Sequence, residues 1–223
     1  MGMLRRFVRD NGLTLVLLAA FAACLIGQLL SGWRAHSQEL AWHGSADIPL
    51  SAYAVSSGFL SSVFENWESE FLQMAAYVVL TAMLFQRGSA ESRDPDDAER
   101  PGDDPDAAAH DPGAPWPTRA GRIFGKVYAH SLGIVLGLLF AISFVLHWLN
   151  SAAAQAEEAA LHGMAGGSLL GHLGDAELWF ESFQNWQSEF LSTAVLAVLT
   201  IFLRERGSPE SKPVAAPTAQ TGA

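Results

Sequence analysis

A few ionisable and amide side chains interrupt the long apolar stretches of this chain, and they are where any chemistry would reside. Glu70 and Glu189 sit near the start of two apolar runs, with Gln73 almost one turn beyond the first. Gln28 and His147 sit late in two others. Ionisable groups in such surroundings are costly and turn towards a bundle interior or water, so these five residues form a candidate polar cluster. Two roles suit it: interhelical hydrogen bonds that fix packing, and a route for protons or ions. A second constellation is Glu39/His43 and Glu158/His162, each pair at the i, i+4 spacing of one helix face. Together the two pairs offer four metal ligands. Gly44 and Gly163 follow them directly, so the same histidines also suit the last turn before a glycine cap. The sequence has no other metal signature, nucleotide loop or nucleophile elbow, and its one cysteine, Cys24, lies in an apolar run. No cofactor and no enzymatic activity are expected.

The elements that must position these groups are membrane-length helices. Half of the 223 residues are hydrophobic and only 16% are charged, against roughly 25% in soluble domains. With 13 basic against 23 acidic residues, a nucleic-acid partner is excluded. Residues 11–33 and 127–156 carry no Asp, Glu, Lys or Arg, and each meets the roughly 20 residues that a bilayer core demands. Runs 71–86 and 190–203 are shorter, and charge placement argues that they cross too. Arg5, Arg6 and Arg9 precede the first run; Arg87 and Arg93 follow the second. Arg119, Arg122 and Lys126 precede the third; Arg204, Arg206 and Lys212 follow the fourth. The intervening segments 34–70 and 151–189 hold Arg34 alone among basic residues. Basic residues mark the cytoplasmic side, so four spans with both termini inside are expected. A signal peptide competes for the N-terminus, with Ala22-Ala23-Cys24 resembling a lipoprotein site, but the third run aligns with the first and no internal run is a signal.

That alignment is a gap-free repeat. Shifted by 119 residues, FENWESEFL at 64–72 lies over FQNWQSEFL at 183–191, and RGSAES at 87–92 over RGSPES at 206–211. The same shift pairs Leu13 with Leu132, Phe21 with Phe140 and His43-Gly44 with His162-Gly163. Each copy is span, outer loop, span, so both copies point the same way and an axis along the membrane normal relates them. The expected fold is all-α: a membrane four-helix bundle of two parallel helical-hairpin repeats. Residues 1–93 form the first repeat and 119–212 the second. Residues 94–118 are expected as a disordered acidic cytoplasmic linker, and 213–223 as a disordered tail. Asn66, Glu70, Gln73, Tyr77 and Thr81 share one helical stripe, and Asn185, Glu189, Ser192 and Thr200 repeat it with Leu196 as a break. Phe64, Trp67 and Phe71, with Phe183, Trp186 and Phe190, read as an interfacial aromatic belt.

The pattern FENWESEFLQM…FQRGSAESR, preceded by an NGLTLVLL-type span, resembles an uncharacterised family of bacterial integral membrane proteins, a transmembrane domain of unknown function. The resemblance covers residues 5–93 and 124–212, and the second copy departs from it at Gln184, Gln187 and Pro209. It implies a multi-pass protein of the bacterial plasma membrane and implies no activity. The sequence therefore reads as a non-catalytic structural or interaction protein in a lipid bilayer, with a homodimer or a membrane-protein partner as candidate associations. The alternative is a small transporter or channel using the outer-leaflet polar cluster around Glu70 and Glu189. A stripe facing a cavity favours transport, and a dry, paired stripe favours packing.

Overall fold

A computed structural model describes residues 2–97, 100, 102–109 and 111–222. Among these residues the chain forms ten helices and no strand. They are α1 (Met3–Asp10), α2 (Gly12–Trp42), α3 (Leu50–Tyr53), α4 (Ser57–Met83), α5 (Pro105–Ala108), α6 (Trp116–Arg119), α7 (Arg122–Ala129), α8 (Ser131–Leu161), α9 (Leu169–His172) and α10 (Ala176–Phe202). Every boundary of α1 to α4 recurs in α7 to α10 after a shift of 119 residues. Helices α2 and α8, 31 residues each, are long and apolar enough to cross a membrane. The carboxylates in the N-terminal halves of α4 and α10 keep those helices more polar.

Local chemistry explains the boundaries. Leu- and Ala-rich runs propagate α2 and α8 with little entropic cost. Both stop at a glycine in the left-handed region, Gly44 (φ 67°) and Gly163 (φ 69°), the role their position before the acidic loops suggests. The amide of the following residue then reaches back to a helical carbonyl, Ser45 to Leu40 at 2.9 Å and Met164 to Ala159 at 2.8 Å. Helix α4 opens on Ser56, whose hydroxyl accepts from the Phe59 amide. Helices α4 and α10 end at Met83 and Phe202, ahead of their Arg-Gly-Ser motifs, with extended backbone at Leu84 and Leu203.

The two central helices run antiparallel. Ser57 of α4 donates to Glu157 of α8 at 2.9 Å, Glu68 meets His147 at 2.7 Å, and Val79 lies against Gly133. Buried serines recur on both helices, Ser57, Ser61 and Ser69 on α4 and Ser143 and Ser151 on α8, and small side chains permit close backbone approach. Helix α10 runs parallel to α4. Gln73 donates to Thr193 at 2.6 Å, and Asn185 donates to Glu65. Residues facing each other here are offset by 120 positions, almost the sequence shift itself. Helix α2 leans on α4 through Gln28 and Phe21, and Leu40 is its buried residue.

Burial is inverted relative to a water-soluble core. The buried apolar residues are Leu40, Phe59, Val63, Leu136 and Leu178, while Glu68, His147, His172, Lys212 and several Ser and Thr are equally buried. Leu13, Val16, Ile26, Leu132, Ile142 and many other large apolar residues face outward. The segment expected as a linker holds the single turns α5 and α6; its residues 98, 99, 101 and 110 lie outside the described set. The segment expected as a loose tail folds back on the first repeat. Lys212 Nζ donates to the carbonyls of Gly88, Thr218 and Gln220 at 2.6, 2.9 and 3.0 Å, and the Gly222 amide donates to Ser89 at 2.9 Å.

Candidate functional site

The polar heart of the molecule lies where α4, α8 and α10 meet. His147, on α8, has no exposed side-chain surface, and neither has Glu68 on α4. The imidazole Nδ1 lies 2.7 Å from Glu68 Oε2, and Nε2 lies 3.3 Å from Glu181 Oε2 on α10. Trp186 Nε1 donates to the other Glu68 oxygen at 2.9 Å. Glu65, one turn before Glu68 on α4, brings a carboxylate to the same point and is held by the Asn185 amide. The i, i+3 spacing aims Glu65 and Glu68 from adjacent turns of one helix.

A hydrogen-bonded line leads outward from this cluster. Ser151 Oγ lies 3.4 Å from Glu181 Oε2. His172 Nε2 lies 3.0 Å from Ser151 Oγ, and its Nδ1 lies 2.9 Å from Asp175 Oδ2. Asp175 holds the N-cap position of α10 but makes no side-chain cap bond; its carboxylate serves His172 instead. Helix α9, opened by the Ser168 hydroxyl accepting from Gly171 at 3.0 Å, sets His172 over Ser151.

A second polar file follows the α4/α10 seam to the opposite end. Gln73 pairs with Thr193 as described, Tyr77 donates to Glu91 at 2.8 Å, and Ser89 Oγ meets Thr200 Oγ1 at 3.0 Å. A cavity of about 320 Å³ opens beside this file, lined by Gln73, Tyr77, Thr81, Glu91 and Thr193 among others. At its end burial pushes the Glu91 carboxyl above its ordinary value; the nearby Glu210 acts in the same sense and the Tyr77 hydroxyl against it. Burial pulls the Lys212 ammonium below its usual range, and the charge on Arg204 adds to that.

The five residues grouped from sequence fall in three places. His147 is in the buried cluster. Gln28 Nε2 donates to Ser62 at 3.1 Å in the α2/α4 hairpin. Gln73 lies on the α4/α10 seam, where Glu189 is half-buried beside an exposed Glu70. Asn66 and Glu70 also line a cavity of about 610 Å³ against α2. Of the outer pairs, His43 and His162 meet edge to face with ring centroids 5.8 Å apart, both exposed. Glu39 instead approaches His36 at 3.7 Å, and Glu158 is exposed. Among the described residues, the three groups whose ligand atoms converge as metal binding needs are Glu65, His147 and Glu181. The aromatic residues pack on one another rather than standing singly. Trp67 touches Phe21 and Phe64, and Trp186 touches Phe140, Trp179 and Phe183. Phe71 and Phe190 line the two cavities.

Glu65, Glu68, Glu181, Ser151, His172 and Asp175 were not among the candidates read from sequence. A signal for them exists in how the two copies diverge. The Gln28–Ser62 pair of the first copy has the spacing of His147–Glu181 in the second, 34 residues in each case. Conversely, Glu65 and Glu68 fall over the neutral Gln184 and Gln187. Each copy has ionisable groups where the other has neutral ones, and those groups meet.

The model of one family matches residues 4–223. The chain belongs to the domain of unknown function DUF6766. No curated protein and no solved structure matches it. Membership in DUF6766 carries no activity with it, so function must be argued from the cluster.

Proposed function

We propose that the chain is a non-catalytic four-helix protein of the bacterial plasma membrane, built from two parallel hairpin repeats, that passes cations through a polar core. The outward-facing leucines, isoleucines and valines on α2 and α8 support membrane insertion, since such a surface is untenable in water. The shared 119-residue offset of helix boundaries, with residues one position from their repeat mates facing each other across α4 and α10, supports the parallel duplication. Basic residues at the α1, α7 and Arg-Gly-Ser ends support both termini lying on the cytoplasmic side.

The observation that carries the functional reading is His147, fully enclosed between Glu68 and Glu181. Three carboxylates and an imidazole at one point are an expensive way to hold helices together when single pairs such as Gln73–Thr193 and Ser57–Glu157 serve elsewhere on the seams. From this cluster one polar line runs to Asp175 at one end of the helices; a separate file on the α4/α10 seam, starting at Gln73 and Thr193, runs to Glu91 at the other. The second reading, a purely structural cluster, draws on the hydrogen bonds that Trp186 and Asn185 give to Glu68 and Glu65.

The test is flux in reconstituted liposomes. Protein bearing His147→Gln and Glu181→Gln together is compared with wild type, using a pH dye and a divalent-cation dye inside the vesicles. The cation-path reading predicts a flux in wild type that falls at least about tenfold in the variant. Equal leak in both, with both proteins folded, leaves the packing reading standing.

A further inference from the structure

The His147 ring lies between carboxylates on both of its nitrogens, and positive charge at this point comes either from the imidazolium or from a bound cation. Glu68 receives Nδ1–H at 2.7 Å and Trp186 Nε1–H at 2.9 Å. In the neutral tautomer with its proton on Nδ1, His147 turns the Nε2 lone pair to Glu181 Oε2 at 3.3 Å; in the imidazolium, Nε2–H donates to the same oxygen. A Glu65 oxygen completes the group, and the three acceptor atoms all lie within 4.8 Å of one another. The donors nearby sit at its edge: the Asn185 amide on Glu65 and the Ser151 hydroxyl at 3.4 Å from Glu181. In the neutral tautomer the three acceptors repel each other unless a cation lies between them, so a bound metal and the Nε2 proton are alternatives at this point.

We propose that Glu65, His147 and Glu181 form a divalent transition-metal site, with Glu68 as the positioning residue that fixes the imidazole. Ligand atoms about 2.1 Å from a tetrahedral ion are about 3.4 Å apart, close to the 3.3 Å between Nε2 and Oε2. The carboxylate–imidazole contact on the far side of the ring is the arrangement that orients a metal-ligating histidine and raises its basicity. Imidazole with carboxylates suits Zn²⁺, Mn²⁺ or Fe²⁺, and the lack of thiolate disfavours Cu⁺. Three protein ligands leave a coordination position open, and Glu181, with a third of its side chain exposed, gives the ion a way in. Two positive charges offset two of the three carboxylates in a region screened from water. His147 lies 15 residues before His162, which caps α8 and makes the exposed His43/His162 contact.

The inference names the cation class for the path proposed above, but the site stands on geometry, so binding is measured without flux. Metal-stripped full-length protein in detergent is titrated with Co²⁺, following visible absorption and bound metal by mass spectrometry. The expected result is one Co²⁺ per chain with the intense bands of low coordination number, displaced by Zn²⁺. Glu65→Gln and Glu181→Gln are each expected to weaken binding at least about tenfold. Glu68→Gln is expected to weaken it about 10- to 100-fold while keeping the same bands, as loss of an orienting partner does. His43→Ala with His162→Ala is expected to change nothing. Circular dichroism and gel filtration select folded variants; if His147→Ala fails there, the near-isosteric glutamine variants decide. No saturable binding by wild type, or binding lost in the His43/His162 variant but kept in Glu65→Gln and Glu181→Gln, overturns the site. Proton flux without metal binding overturns the metal assignment and leaves the cation path. Metal binding without any flux overturns the path and leaves the metal site.

Discussion

Replacing Glu68 by leucine puts the heart of the account at risk. Glu68 is completely buried and receives two donors, His147 Nδ1 at 2.7 Å and Trp186 Nε1 at 2.9 Å. Leucine has similar bulk and no acceptor, so both donors lose their partner inside the molecule. An unsatisfied buried donor costs about 1–3 kcal/mol, whereas an interhelical hydrogen bond inside a membrane averages about 0.6 kcal/mol when both partners are free to re-pair. The first figure governs here, because His147 is enclosed and its other nitrogen already faces Glu181. Glu68→Leu should therefore destabilise the fold by about 2–4 kcal/mol. Glu68→Gln keeps one acceptor oxygen and should cost about half as much. Gln187→Glu is the control: it places a carboxylate at the equivalent but exposed position of the second copy and should lie within about 0.5 kcal/mol of wild type. Equilibrium unfolding in mixed micelles gives the free energies, and tryptophan emission reports the Trp186 environment directly. A Glu68→Leu protein as stable as wild type, or a Gln187→Glu protein equally damaged, would refute the reasoning.

Lys212→Met should release the tail, because three backbone carbonyls lose their shared donor; the expected cost is about 2 kcal/mol, read as faster proteolysis within 213–222 and a lower melting temperature. Gly88→Ala should have a related effect, since its φ of 84° disfavours a side chain and the added Cβ would lie 3.2 Å from both the Ile201 side chain and the Thr218 carbonyl. The pH dependence at that end has a definite sign. Burial raises the folded-state value of Glu91 above its unfolded one, so its contribution is complete below the unfolded value and is lost as pH rises through the folded one. Thermal stability should fall between mildly acidic and neutral pH in wild type, and Glu91→Gln should flatten that fall; an unchanged slope would refute the assignment.

How legible the molecule was depended on which relation between residues was needed. Helix ends at Gly44 and Gly163 follow from local backbone chemistry, and local chemistry is written in adjacent residues. The register between α4 and α10 follows the repeat to within one residue, as Gln73 and Thr193 show, but nothing in the sequence said that these two helices touch. The pairing of α4 with α8 was not legible either. It crosses the repeats, and nothing in the 119-residue shift says which hairpins touch. The stripe through Asn66, Glu70, Gln73, Tyr77 and Thr81 leads partly to the α10 seam. Glu68, two residues from Glu70 and so about 200° round the helix, points to α8 and was passed over. His147 stood out as a titratable group in an apolar run, but its partners sit 79 and 34 residues away, distances that no local pattern encodes. The tail was expected to be loose from its composition, and its attachment depends on one lysine finding three carbonyls.

Substituted-cysteine accessibility along α4, on a Cys24→Ser background in membranes, tests the central claim most directly. A membrane-impermeant, charged thiol reagent reacts only where water reaches. If the α4/α10 seam carries a cation path, cysteines at Gln73 and Thr81, which line the 320 Å³ cavity, should react. Cysteines at Met74 and Met83, which are exposed apolar positions, should not. Unreactive cysteines at both Gln73 and Thr81, in protein that remains folded, would contradict a path through this core and leave the polar file as packing.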